Sequence, residues 1–384
     1  MKKNRIGILT GGGDVAPLNA VIHYARNEAL KNNYELIGFK NGWQGILEEN
    51  LVSLTTAKIN PEIGGTILKS SRVNIGKIEA AAETIKKEFE KLKLRGLIVI
   101  GGEDTLSNAF YLKELPIILI SKTIDNDVGM NSKKGVINYF TLGYPTAASK
   151  ISSFVSLAEG LRTTAYSHER IIVVESMGMH AGWLAISSAM GNPDFIIVPE
   201  FPLDYDEFKE KVKERYSKNK NVIIVTAEGS KWKSGEHMSA DLNDRDNFGH
   251  PKFKGAAQVL AKRLKEDLKQ FFDTRNVNSV NPSYLYRSGR PNTLDMKAGE
   301  MLGRKAVKLF LKGKFTSPRF LTTEFNNGKL NTGQYSIDDL ENIEDFHRFI
   351  DDRYYNVNEF FITKEAKKYL SSIVPEIPLT KYGI

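Results

Sequence analysis

Gly96-Leu97-Ile98-Val99-Ile100-Gly101-Gly102-Glu103-Asp104-Thr105 is the clearest architectural signal in the sequence. Its first half is an unbroken run of Leu, Ile and Val, as a strand buried on both faces requires. A long amphipathic stretch, Ile78–Leu94, precedes it, and two glycines with two carboxylates follow it. The same unit recurs on either side. Ile6–Leu9 leads through a glycine-rich turn into a helix expected from about Asn19 to Asn32, and Tyr34–Phe39 is a second strand. Ile117–Ile120, Arg170–Val174, Phe195–Val198 and Val222–Val225 repeat the pattern, with helical stretches between them. That alternation predicts an α/β protein built on doubly wound, mainly parallel sheets. In such sheets ligands bind beyond the carboxyl ends of the strands, and the unusual residues of this chain lie there.

The chain has 384 residues, 41% apolar and 26% charged, enough to bury a core in two medium α/β domains. It has no cysteine, which excludes disulfides, thiolate catalysis and cysteine-held metals. Its six histidines form no HExxH or paired spacing, so a histidine-built zinc site is not expected. The apolar run after Met1-Lys2-Lys3-Asn4-Arg5 stops at Gly11, too short for a secretory segment, and no window approaches a membrane span. A cytoplasmic location without a membrane partner is expected. The net charge of +8 is spread over lysine-rich stretches such as Lys209–Lys220. This reads as a solvated surface rather than a nucleic-acid footprint, and it suits small anionic substrates.

Five constellations carry candidate chemistry. Leu9-Thr10-Gly11-Gly12-Gly13-Asp14 lies between a strand and a helix, where glycines let backbone N–H groups approach an anion. It matches neither Walker A nor GxGxxG, and a plain tight turn would read the same. Gly101-Gly102-Glu103-Asp104-Thr105 suits a phosphate site that also holds Mg²⁺, although acidic residues favour any helix N-terminus. In Ser121-Lys122-Thr123-Ile124-Asp125-Asn126-Asp127, one carboxylate can accept a hydroxyl proton while the other orients the acceptor or holds metal. Lys122 adds a cation for the transferred group. A capped Asp/Asn turn is the alternative in isolation. Val174-Glu175-Ser176-Met177-Gly178-Met179-His180-Ala181-Gly182-Trp183 reads alone as an apolar loop entering a helix. Ser283-Tyr284-Leu285-Tyr286-Arg287-Ser288-Gly289-Arg290-Pro291 offers arginines and tyrosines of the kind that bind a terminal phosphate, or a surface turn.

Taken in order, Thr10–Asp14, Gly101–Thr105, Thr123–Asp127, Met177-Gly178 with His180–Trp183, Thr226-Ala227-Glu228-Gly229 and Phe248-Gly249-His250 resemble the signatures of the phosphofructokinase family. The resemblance runs from about residue 5 to about 320, and the Thr-Ile-Asp-Asn-Asp run is specific. It implies two similar doubly wound lobes with the active site in the cleft between them. Residues 1–145 would form the larger donor-binding lobe, with later segments returning to it. Residues 146–312 would form the sugar-phosphate lobe, and 313–384 a mixed extension packed on the core. The resemblance further implies Mg²⁺-dependent, reversible phosphoryl transfer to the 1-hydroxyl of fructose 6-phosphate, a step of glycolysis. Asp125 matches the family's base, Asp127 its supporting carboxylate, and Arg72 the arginine bridging donor and sugar phosphates. Gly12, Gly13, Asp104 and Lys122 fall at the donor. Thr123, Met177, Gly178, Glu228, Tyr284 and Arg287 fall at the sugar phosphate. Arg170 matches an arginine that reaches across from a neighbouring subunit, which implies a homodimer or homotetramer.

Departures from the family pattern bear on substrate choice. ATP-using members carry glycine at the position of Asp104, so a carboxylate there favours pyrophosphate as donor. Phe39-Lys40-Asn41-Gly42-Trp43 lacks the tyrosine on which some ATP users stack adenine. Glu103 stands for the aspartate that usually holds Mg²⁺. Met179 replaces an arginine and Asn278 a basic residue, although Arg275 is near. Val15-Ala16-Pro17 and Pro145 depart as well. The expected activity is therefore a pyrophosphate-dependent phosphofructokinase. The alternatives are the same chemistry on another ketose phosphate such as sedoheptulose 7-phosphate, an ATP-dependent enzyme, or a catalytically weak regulatory subunit.

Overall fold

The computed structural model describes residues 4–377 apart from 134, 246–250, 254, 314, 341–342 and 376. Phe248-Gly249-His250 lies outside the described residues. Contacts divide the chain into two units, Met1–Thr146 with Arg287–Arg348, and Ala147–Tyr286 with Phe349–Ile384.

In the first unit, β1 (Asn4–Thr10) leads through the glycine turn into α1 (Leu18–Lys31), then β2 (Tyr34–Phe39) and a short antiparallel β3 (Leu51–Ser53). Helix α2 covers Ala81–Leu92, shorter than its amphipathic pattern. Ala80 and Lys93 at its two ends both adopt left-handed backbone, so Leu94 begins a strand instead of ending the helix. That strand is β4 (Leu94–Gly101), and β5 (Ile117–Thr123) follows. A two-residue β6 (Leu142–Gly143) pairs with the end of β5. β1 pairs in parallel with β2 on one side and β4 on the other, and β4 pairs with β5. The winding reverses at β1, so the loops after β1 and β4 leave the sheet side by side at the switch point. Gly11 N donates to Ile100 O at 2.9 Å and fastens them there.

Helix α3 (Tyr144–Val155) crosses from one unit into the next. The second unit holds a four-stranded parallel sheet of β7 (Ile171–Ser176), β8 (Phe195–Ile197), β9 (Val222–Ala227) and β10 (Val277–Val280), in the order β8-β9-β7-β10. Helices α4 (Tyr205–Asn219) and α5 (Ala256–Leu268) bury Phe208, Val212, Leu260 and Leu264 against Ile171, Val173 and Ile224 of the strands.

The chain then returns to the first unit with α6 (Thr293–Lys312), β11 (Arg319–Asn326) and β12 (Lys329–Ser336). β11 pairs in parallel with β5, Arg319 opposite Ile118 and Phe320 opposite Leu119, and β12 closes antiparallel on β11. The stretch read as one extension after Gly313 is thus divided: a hairpin lengthens the first unit's sheet, and residues from Phe349 join the second unit. The turn at Asn327 and Gly328 has φ of 51° and 73°, the double positive that Asn-Gly supplies in a hairpin.

Asp295 of α6 is fully buried and accepts from Gly143 N and Thr146 N at 2.9 Å each and from Thr146 Oγ1 at 2.5 Å. Burial pushes its pKa up to about 6, against the pull of those donors. A pKa raised on folding means that the native state holds the proton more tightly, so this contribution is complete below about pH 4 and is lost as pH rises through 6. The stability lost in Asp295→Asn should therefore shrink between pH 4 and pH 7, by up to about 3 kcal/mol. Urea unfolding midpoints of both proteins across that range check the sign. A loss that grows with pH would refute it.

Candidate active site

The glycine turn after β1 is tied on both sides. Gly12 N donates to Ser71 O at 3.0 Å, and Ser70 Oγ donates back to Gly12 O. These bonds pin the segment that delivers the exposed Arg72. Lys122, at the end of β5, donates its ammonium to Gly13 O from a fully buried position. A Cβ on Gly12 would stand 3.1 Å from Lys122 Nζ, and one on Gly13 would run into Arg287 Nη1, so both positions must be glycine for the cations to come this close. Arg287 Nη1 also lies 4.0 Å from Asp14 Oδ1.

Burial pushes the Lys122 ammonium down to about 7; the Arg287 and Arg72 guanidiniums act in the same direction, and Asp14 and Asp125 oppose them. Two arginines and a dry lysine thus converge on one glycine turn. Such a site is short of negative charge, and a compact polyanion bound there would recharge the lysine.

Asp125 and Asp127 sit on the loop that leaves β5, both partly buried. Asp125 N donates to Thr123 Oγ1 at 3.1 Å. Between them Asn126 is buried with φ of 55°, and its side-chain oxygen accepts from Thr141 N at 3.1 Å. Thr141 Oγ1 in turn donates to Thr123 O at 2.6 Å. The two carboxylates therefore stand on a turn fixed at each end. Glu103 and Asp104 open the helical turn Glu103–Leu106 after β4, and Asp104 is exposed. Glu103 lies 3.7 Å from His347 Nδ1, a partner that no motif in the sequence announces.

Among the described residues no three His, Asp or Glu side chains converge into a metal cage. Mg²⁺ is usually held by one or two carboxylates with substrate phosphates and water, and the partly exposed Glu103 fits that role.

In the second unit, Met177 and Gly178 follow β7 and Glu228 follows β9, two strands that pair Ser176 with Ala227. The register sets these residues side by side: Gly178 N donates to Glu228 Oε1 at 3.2 Å, and Glu228 N to Ser176 O at 2.9 Å. Two acids to which the sequence assigned no role, the buried Glu175 and the partly buried Glu200, brace this cluster. Glu175 accepts from Ala257 N at 3.0 Å, near the start of α5, and from Asn281 Nδ2 at 2.7 Å. Glu200 accepts from Gly182 N at 3.0 Å and from Ile350 N at 3.0 Å. Burial is the main force raising both pKa values, and the Glu228 charge raises that of Glu175 further.

Arg170 and Tyr284 do not join that cluster. Arg170 precedes β7, at the opposite end of the strand from Met177, and donates to Thr164 Oγ1 at 2.6 Å. Seven residues of extended chain, about 20 Å, separate it from Met177, so within one chain it cannot reach the loop of Met177 and Gly178. Tyr284 is 72% exposed on the turn Ser283–Tyr286, whereas Tyr286 is buried and donates its hydroxyl to Glu175 O at 3.0 Å. Arg287, expected with Tyr284 at the sugar phosphate, lies against Gly13 and acts on the charge of Lys122.

The Phosphofructokinase family model matches residues 5–310. A pyrophosphate–fructose 6-phosphate 1-phosphotransferase of Dictyoglomus thermophilum is 38% identical over 320 residues, 82% of this chain and 88% of that protein. An ATP-dependent 6-phosphofructokinase 3 of Streptomyces coelicolor is 37% identical over 318 residues, 81% of this chain and 89% of that protein. The crystal structure of a pyrophosphate-dependent phosphofructokinase from Nitrosospira multiformis superposes with a TM-score of 0.80 over 99% of this chain and 95% of that one, at 21% identity, and so shares the fold. The names of the two sequence relatives differ in donor, which leaves the donor to be argued from residues. Among the described residues, no helix is long and apolar enough to cross a membrane.

Proposed function

The chain belongs to the phosphofructokinase family, and we propose that it transfers a phosphoryl group from pyrophosphate to the 1-hydroxyl of fructose 6-phosphate, giving fructose 1,6-bisphosphate and phosphate. The observation that carries the reading is Asp104, an exposed carboxylate in the helical turn beside the donor glycines. The Gly102 amide nitrogen of that turn is 3.8 Å from where a Cβ on Gly12 would stand. A nucleotide bound at this turn would bring its α-phosphate towards Asp104, whereas pyrophosphate ends before it. The converging Lys122, Arg72 and Arg287 suit a small, highly charged donor.

In this reading Asp125 accepts the proton of the sugar's 1-hydroxyl and Asp127 orients that hydroxyl. Lys122 and Arg72 compensate the charge on the transferring group, as in-line phosphoryl transfer demands. Glu103 would hold Mg²⁺, which when bound neutralises charge on the donor phosphates. Met177, Gly178 and Glu228 would seat the sugar. The place of Arg170 at the far end of β7 supports its serving a second copy of the chain.

A donor-by-acceptor activity matrix on purified protein tests the proposal: pyrophosphate or ATP against fructose 6-phosphate or sedoheptulose 7-phosphate. The second sugar is included because Met179 and Asn278 leave out two cations the family usually carries. Turnover is expected with pyrophosphate and fructose 6-phosphate, far above that with ATP. Equal or better turnover with ATP would overturn the donor, and preference for the larger sugar would overturn the acceptor.

A further inference from the structure

Part of what fixes the loop after β5 comes from beyond the family-matched segment, which ends at residue 310. Phe346, His347 and Arg348 lie across the loop as a strap. Phe346 O accepts from Gly129 N at 2.9 Å and Met130 N at 3.3 Å, and Arg348 N donates to Asp127 O at 2.7 Å. Val128 and His347 form an antiparallel bridge, and Asn131 Nδ2 donates to His347 O. The strap is anchored because Phe346 is fully buried, edge-on to Phe110 and Phe320. The Arg348 stem lies over Gly129, where a Cβ would come within 2.7 Å of Arg348 Cβ. Its guanidinium reaches past to Tyr139 O at 2.8 Å. From the other side, Thr323 of β11 donates N–H and hydroxyl to Asn138 Oδ1, each at 3.1 Å, while Asn138 donates to Val128 O at 3.0 Å.

We infer that Arg348 is a positioning residue for phosphoryl transfer, holding the Asp125–Asp127 turn through the strap so that the base meets the acceptor hydroxyl. The inference rests on the functional reading above in taking Asp125 as the base. Misplacing a reacting group by about 1 Å can cost about a hundredfold in rate, so a clamp on this loop acts on kcat. Arg348 acts through Gly129 and the backbone of residues 127–139.

The test compares the full-length protein with Arg348→Ala, Arg348→Lys and Asn131→Ala, the last loosening the strap from the loop side. Steady-state rates with pyrophosphate and fructose 6-phosphate are measured beside amide hydrogen exchange. For Arg348→Ala a fall in kcat of at least tenfold is expected, with KM for the sugar phosphate within threefold. Gly129 and Met130 amides should exchange faster while those of β1 stay protected, and Arg348→Lys should recover part of the rate. If Arg348→Ala does not fold, Asn131→Ala carries the same comparison. Unchanged exchange at residues 127–131, or a kcat loss matched by global loss of protection, would overturn the inference. Wild-type protein inactive on fructose 6-phosphate would sink the functional reading alone, because the exchange experiment still decides whether the strap holds the loop.

Discussion

Asp125→Asn is expected to lower kcat by roughly 10²–10⁴ while leaving affinity for the sugar phosphate within a few fold. The substitution keeps shape and volume, and the turn should persist, because its bonds run through the backbone, Thr123 Oγ1 and the Asn126 side chain. What is lost is the ability to take a proton, a loss of about 3–5 kcal/mol at the transition state. A second effect follows from charge. Asp125 is one of two carboxylates that keep the buried Lys122 from losing its proton more readily. Without it the ammonium should give up its proton at still lower pH, so the deficit of the variant should widen as pH rises towards 7 and level off above it. Initial rates over that range, with calorimetric binding of fructose 6-phosphate, measure both effects. Near-normal turnover would remove Asp125 from the role of base.

Asp104→Gly is expected to raise the preference for ATP over pyrophosphate, as a ratio of kcat/KM, by about two orders of magnitude. Two like charges roughly 5 Å apart at an effective dielectric near 20 repel by about 3 kcal/mol, and glycine removes the obstructing side chain as well. Loss of an acidic residue from the first turn of a helix costs only about 0.3–1 kcal/mol, so the fold should tolerate the change. Asp104→Asn separates the two causes, since it keeps the bulk and removes the charge. If Asn gives most of the shift, repulsion dominates; if only Gly does, space dominates. A donor ratio unchanged in both variants would mean that Asp104 does not select the donor.

The parallel sheets were legible because β1, β4 and β9 are continuous apolar runs that no amphipathic helix would contain. The candidate loops were legible because each is a short run of Gly, Asp or Thr at a strand end. The hairpin of β11 and β12 was hidden by its polar residues, as in Lys329-Leu330-Asn331-Thr332-Gly333, although Asn327-Gly328 was a readable turn signal. Arg287 has contacts that were not legible, for a local reason. It follows Tyr284 by three residues, but the turn Ser283–Tyr286, opened by Ser283 at φ of 46°, leaves Tyr284 exposed and Tyr286 buried before Arg287 meets Gly13. His347 and Arg348 could not be read at all, since they meet the catalytic loop across more than 200 residues of sequence.

The long return of the chain to its first sheet has a consequence for biosynthesis. Strand β5 opens with the buried apolar run Ile117–Ile120, and its neighbour at Ile118 and Leu119, on the side away from β4, is β11. When β5 leaves the ribosome, that neighbour is roughly two hundred residues from being made. At about 5–20 residues per second the delay is on the order of 10–40 s. For that interval the nascent chain would present an unpaired apolar edge, the kind of template on which strands of other chains add.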